Sequence, residues 1–173
     1  MALTSEILHI VASVFALGGL SMLIALFIVD LRIWILPNIY IAAFAIFGVG
    51  FHASLSFEWL APLDMLYGML TGGGTLFIIR CFGNWYYGVE SLGLGDVKLF
   101  LAAGLWLDAE AIINALIIGA LVSLFHGAIV MMQNNLRNNK KTSFRHMRIP
   151  AGPGFIIGII GAGIIEYHTM LLP

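Results

Sequence analysis

The chain has 173 residues, 61% of them hydrophobic and 10% charged, with a net charge of −1 and a mean hydropathy of +1.01. A soluble domain carries about 25% charged residues, so this composition cannot build a wetted surface. It points to an all-α polytopic membrane protein, a single domain over 1–173 with no separate soluble part. No basic region suited to nucleic acid is present. One cysteine, Cys81, excludes an internal disulfide and any Cys-pair zinc site.

The amino-terminal stretch "MALTSEILHI" has no Lys or Arg and carries Glu6, so a cleavable signal peptide is not expected. A helix needs about 20 apolar residues to cross the hydrocarbon core. Apolar runs predict six such helices in chain order, over 7–29, 39–55, 63–79, 97–107, 111–132 and 153–171. The third contains the small-residue string "TGGG" at 71–74, read as ordinary close helix packing. The fourth is short: the twelve residues from Asp96 to Asp108 make about 18 Å of helix against a core of about 30 Å. "NWYYG" at 84–88 reads as an interfacial aromatic belt.

Charge orients the bundle. With the amino terminus outside, the inner segments hold Arg32, Arg80, Lys98, Arg137, Lys140, Lys141, Arg145 and Arg148, which is every Lys and Arg in the chain. The outer segments hold Glu6, Glu58, Asp64, Asp108, Glu110 and Glu166, six of the nine acids. Basic residues collect on the cytoplasmic side, so both termini are expected outside. The basic loop 133–148 reads as a topology and surface anchor.

Three acids fall on the inner face: Asp30, Glu90 and Asp96. Asp30 closes the first helix and Asp96 opens the fourth, which places them at similar depth although 66 residues apart. Any one of these acids alone is best read as an interfacial charge balancing Arg32 or Lys98. Two at matched depth suggest more, because carboxylates near the hydrocarbon tend to be paired or functional. If their helices pack together, repulsion lets one ionise while the other keeps its proton. The ionised member can then accept a proton from attacking water while the protonated member bonds the carbonyl oxygen. Gly93 and Gly95 give the backbone room for a tight turn and for an extended peptide alongside. Asp96 in a first helical turn also meets the positive end of the helix dipole. No HExxH, GxSxG or Cys–His motif is present. His9, His52, His126, His146 and His168 are dispersed without ligand spacing. No metal or cofactor is expected.

Three segments together, "DLRIWILPN" (30–38), "GVESLGLGDVKLFLAAG" (88–104) and "IPAGPGF" (149–155), resemble the signature regions of the type IV prepilin peptidases, membrane aspartic proteases of the GxGD type. The matching positions are Asp30 and Pro37; Gly88, Glu90, Gly93, Gly95, Asp96 and Lys98; and Pro150, Gly152 and Pro153. The resemblance implies that Asp30 and Asp96 are the catalytic pair. It further implies a bacterial inner-membrane enzyme whose substrates are prepilin-like precursors, cut on the cytoplasmic side between a basic leader and an apolar helix. Glu90 is a candidate for leader binding or for ordering its own loop. Larger members of that family carry paired Cys-x-x-Cys in an added cytoplasmic domain and methylate the new amino terminus. The tetracysteine is missing here and Asp30 directly follows the first helix, so methyltransferase activity is not expected. The chain looks like the short peptidase form of tight-adherence (Flp-type) pilus systems.

Two other readings remain open at this point. A small proton-coupled transporter would use Asp30 and Asp96 as a relay, but transporters place such groups near the midplane and often show repeated halves. A presenilin-type intramembrane protease shares the GxGD aspartate, but keeps its first aspartate within a helix.

Overall fold

The computed structural model describes residues 2–90, 92–138 and 151–171. It is all-helical, with α1 Ala2–Ile33, α2 Asn38–Ser54, α3 Pro62–Tyr87, α4 Leu94–Ala103, α5 Ala109–Asn138 and α6 Gly152–Leu171. Among the described residues α1, α3 and α5 are long and apolar enough to cross a bilayer, while α2 is a shorter apolar helix. Pro150 and the basic segment 139–149 lie outside the described residues.

The boundaries follow from local chemistry. Trp34, at φ 58°, leaves the helical region after α1, and its N–H donates to Asp30 O at 2.9 Å. Pro37 is the N-cap of α2 and Pro62 opens α3, positions that need no donor from the proline. Asp108 caps α5, its carboxylate accepting the N–H of Ala111 at 2.7 Å. Two boundaries differ from the sequence expectation. Asp30 lies inside the last turn of α1 rather than at its end. α3 continues to Tyr87, because no breaker intervenes before Gly88, which ends it in the left-handed conformation at φ 67°. Arg80, expected in a loop, is therefore a buried residue of α3.

The helices pack as three consecutive hairpins, with α5–α6, α1–α2 and α3–α4 the most extensive pairings. α4 lies inside the bundle, touching α2, α3 and α6. It has ten residues, about 15 Å, and carries buried Leu99, Phe100, Ala102 and Ala103. Buried Trp106, just beyond it, fixes that end. Its indole N–H donates to Phe44 O at 2.9 Å, and its ring stacks on Phe44 at 5.3 Å and Phe51 at 5.6 Å. Its carbonyl accepts the Tyr167 hydroxyl at 2.6 Å and lies 3.4 Å from His52 Nε2. The opposite face of the bundle is greasy: Ile10, Val14, Leu17, Ile24 and Ile28 are exposed along α1, the stripe expected of a lipid-facing helix.

Close backbone approach holds α3 to α4. A Cβ on Gly104 would collide with the backbone of Gly68 and Met69. Gly72 and Gly73 also face α4, whereas Gly74 points into open space, so two of the three glycines in "TGGG" are packing residues. Gly104→Ala is expected to destabilise the bundle by about 1–3 kcal/mol, the usual cost of overpacking. Gly74→Ala should be neutral or stabilising by up to about 1 kcal/mol. Thermal unfolding of the two detergent-purified variants checks both.

Candidate functional site

At the end of the bundle opposite Trp106, the loop after α1 meets the amino termini of α4 and α6. Asp30, in the last turn of α1, and Asp96, in the first turn of α4, both lie at this end. Both are buried, at 5% and 8% exposure, and the Asp30 charge acts on Asp96. The two helix starts explain the placement. Gly93 is the N-cap of α4, and the Asp96 carboxylate turns back to accept the Gly93 backbone N–H, one half of a capping box. Gly152 is the first residue of α6, and the Asp30 carboxylate lies directly against it. Each aspartate therefore faces the positive end of a helix dipole, its own in one case and a neighbour's in the other.

Asp30 Oδ2 has no hydrogen-bond partner among the described residues. A buried carboxylate oxygen is costly without a donor, so this atom is suited to holding a proton or a water. A second buried carboxylate lies within electrostatic reach of it, and two such groups can share a proton. Among the described residues no group of three or more His, Cys, Asp or Glu side chains is arranged to hold a metal ion.

The glycines serve the protein itself. A Cβ on Gly152 would collide with Asp30 Oδ2 and stand 2.9 Å from its Cγ. A Cβ on Gly95 would come 3.0 Å from Leu36 Cβ, and one on Gly93 would be 3.1 Å from Asp96 Oδ2. Both glycines thus serve close packing at the start of α4, which is the tight-turn part of what the sequence led us to expect. Leu36 and the Asp96 carboxylate are the neighbours they accommodate, because both glycines sit where α4 starts against the α1–α2 loop, and Gly93 keeps an exposed side.

The other motif residues frame the pair. Pro37 caps α2, and its carbonyl accepts from Tyr40 N at 3.2 Å. Lys98 donates to Asn38 Oδ1 at 3.0 Å, joining α4 to α2 rather than balancing an aspartate. Pro153 is buried in the first turn of α6. Glu90 is not a plain loop acid: its Oε1 accepts from Arg80 Nη2 at 2.7 Å. Arg80 also donates to the Leu92 carbonyl. The motif reading did not single out Arg80. The available signal was its isolation, since it is the lone Lys or Arg between Arg32 and Lys98.

A family model described as the type IV leader peptidase family matches residues 17–128. That stretch contains Asp30, Pro37 and all of 88–98, and ends before Gly152. A prepilin leader peptidase/N-methyltransferase of Pectobacterium carotovorum subsp. carotovorum is 32% identical over 109 residues, 63% of this chain and 38% of the relative. A protein of the same description from Dickeya chrysanthemi is 26% identical over 148 residues, 84% of this chain and 51% of the relative. The chain spans about half, or less, of the length of these curated relatives. No solved structure matches it.

Proposed function

The chain belongs to the type IV leader peptidase family, and on that premise we propose that it is a membrane-embedded aspartic endopeptidase acting on type IV prepilin-like precursors. The observation that carries the reading is the burial of Asp30 and Asp96 within electrostatic reach of each other, each beside a helix amino terminus, with one carboxylate oxygen unpartnered among the described residues. In this reading the ionised aspartate takes a proton from water as the water oxygen bonds to the scissile carbonyl carbon. The protonated aspartate hydrogen-bonds the carbonyl oxygen. When the C–N bond breaks, the leaving nitrogen takes a proton from the pair, which returns to its starting state.

Residues 1–173 act as one peptidase unit in the bacterial inner membrane, with the pair at the cytoplasmic face. The segregation of Lys and Arg supports that orientation. A precursor with a basic leader before an apolar helix suits the site, because the leader is drawn to the acids while the helix stays in the lipid. Both relatives have N-methyltransferase in their names. We propose the peptidase step alone for this chain, whose single cysteine cannot supply the paired Cys-x-x-Cys of the larger enzymes it resembles. Asp30 proves to lie within α1, so helix membership of the first aspartate does not separate this chain from presenilin-type proteases. The family match and the Asp30–Pro37 spacing favour the prepilin reading.

The test is co-expression with a candidate precursor bearing a basic leader, followed by mass spectrometry of the product. Cleavage at the leader–helix junction, with no methyl group on the new amino terminus, supports the proposal. An uncut precursor beside correctly inserted enzyme contradicts the peptidase, and a methylated product contradicts the peptidase-only assignment. Gly152→Ala tests the third motif in the same assay. Its methyl group must push the Asp30 carboxylate aside, and a misplacement of about 1 Å costs roughly 10²-fold in rate. Cleavage should fall by that order while membrane insertion is unchanged.

A further inference from the structure

We propose that Arg80 is a positioning residue for Asp96, acting through the peptide group between Leu92 and Gly93. The inference rests on the reading in which Asp96 is half of the catalytic pair. The carbonyl of that peptide accepts from Arg80 Nη1; on its other edge Asp96 Oδ2 lies beside Gly93, 3.1 Å from where a Cβ would stand, and the carboxylate accepts the Gly93 N–H. Both contacts thus grip opposite edges of one rigid plane. Fixing the carbonyl fixes the direction of the N–H, and with it the rotamer of Asp96. A charged donor on the carbonyl also polarises the peptide, which strengthens the N–H as a donor.

Among its described residues, side-chain packing holds this loop chiefly through Leu92. Gly88, Val89, Glu90 and Gly93 are exposed and Leu92 is half-buried, so side-chain packing gives it few anchors. Arg80 is buried at 8% exposure on α3, and α3 is packed firmly on α4. Its guanidinium fork reaches two acceptors at once: Glu90 Oε1 at 2.7 Å and the Leu92 carbonyl. A planar fork can do this and a lysine ammonium cannot reproduce it. An exposed ion pair alone is worth little. Here the arginine end is desolvated and the second bond goes to backbone, so the pair acts as a clamp. Glu90 orients the guanidinium and steadies the loop, and this assigns it to loop ordering rather than to leader binding.

The experiment measures kcat and KM for a purified precursor, with enzyme reconstituted in vesicles, for Arg80→Met, Arg80→Lys, Glu90→Gln and Asp96→Asn. A second precursor has the basic residues of its leader neutralised. The inference expects Arg80→Met to lower kcat by roughly 10²-fold, the scale of a misplaced catalytic group, with KM little changed. Arg80→Lys should recover part of that loss, and added guanidinium ion should partly rescue Arg80→Met. Glu90→Gln should lose less, because the Leu92 bond survives, and should lose equally on both precursors. If Arg80→Met does not insert, Arg80→Lys and Glu90→Gln carry the test. Wild-type kcat in the inserted Arg80 variants, with Asp96→Asn inactive, overturns the inference and leaves the two-aspartate reading standing. A Glu90→Gln loss confined to KM and to the basic leader overturns it in favour of leader binding. Wild-type cleavage by Asp96→Asn overturns the reading beneath it.

Discussion

Asp96→Asn and, separately, Asp30→Asn are each expected to lower precursor cleavage by roughly 10²–10⁴-fold, the scale of losing a general acid or base. The effect should be on the chemical step. Both side chains are buried at the end of a bundle, and an amide of the same size keeps the shape while removing the titratable carboxyl group. Asp96→Asn retains an acceptor for the Gly93 N–H that Asp96 now bonds, so the α4 start should persist. Asp30→Asn removes a buried carboxylate whose Oδ2 has no partner among the described residues, so the protein should insert and fold at least as well as wild type. Inactive variants present at normal levels in the membrane are therefore the expected result. In the proposed mechanism one carboxyl is protonated and the other ionised, so wild-type kcat/KM should follow a bell-shaped pH profile whose two limbs belong to the pair.

The second large effect concerns stability at the far end. Trp106→Ala should cost about 3–5 kcal/mol, as large-to-small changes of buried aromatics do. The indole is stacked between Phe44 and Phe51 and lies against Gly19 and Gly48, so its loss leaves a cavity that helices already in backbone contact cannot close. Its N–H bond to Phe44 O also goes. Lipid outside the bundle makes the transfer part smaller than in water, but lost packing is what drives helix association in membranes. Denaturation of the purified protein in mixed micelles measures the change. Tyr167→Phe, which removes one bond to the Trp106 carbonyl, should cost only about 1 kcal/mol.

How far these features could be read from the sequence depends on whether their cause is local. The six helices were legible because apolar runs and their breakers act over a few residues: Pro37, Pro62 and Gly88 stand where helices start or stop. The placement of Asp30 and Asp96 at one end of the bundle was legible too, since helices that return on one another bring the end of α1 and the start of α4 to the same end. The clamp on the 88–93 loop was not. Arg80 closes an apolar run, and its burial depends on Glu90 and Leu92 folding back onto α3. Likewise, nothing within "IPAGPGF" reveals that Gly152 is kept bare by a carboxylate 122 positions earlier in the chain. That Gly93 and Gly95 also accommodate the Asp96 carboxylate and Leu36 was not legible, because those neighbours are set only when α4 meets the α1–α2 loop.

The central claim is that Asp30 and Asp96 act as one unit. The measurement that tests it most directly is the single-turnover rate of precursor cleavage by reconstituted wild type, Asp30→Asn, Asp96→Asn and the double variant. Groups that share one proton and one water are non-additive when removed. The account predicts that the double variant is no slower than the slower single one. A double loss equal to the product of the two single losses, or wild-type cleavage by either single variant, would contradict it.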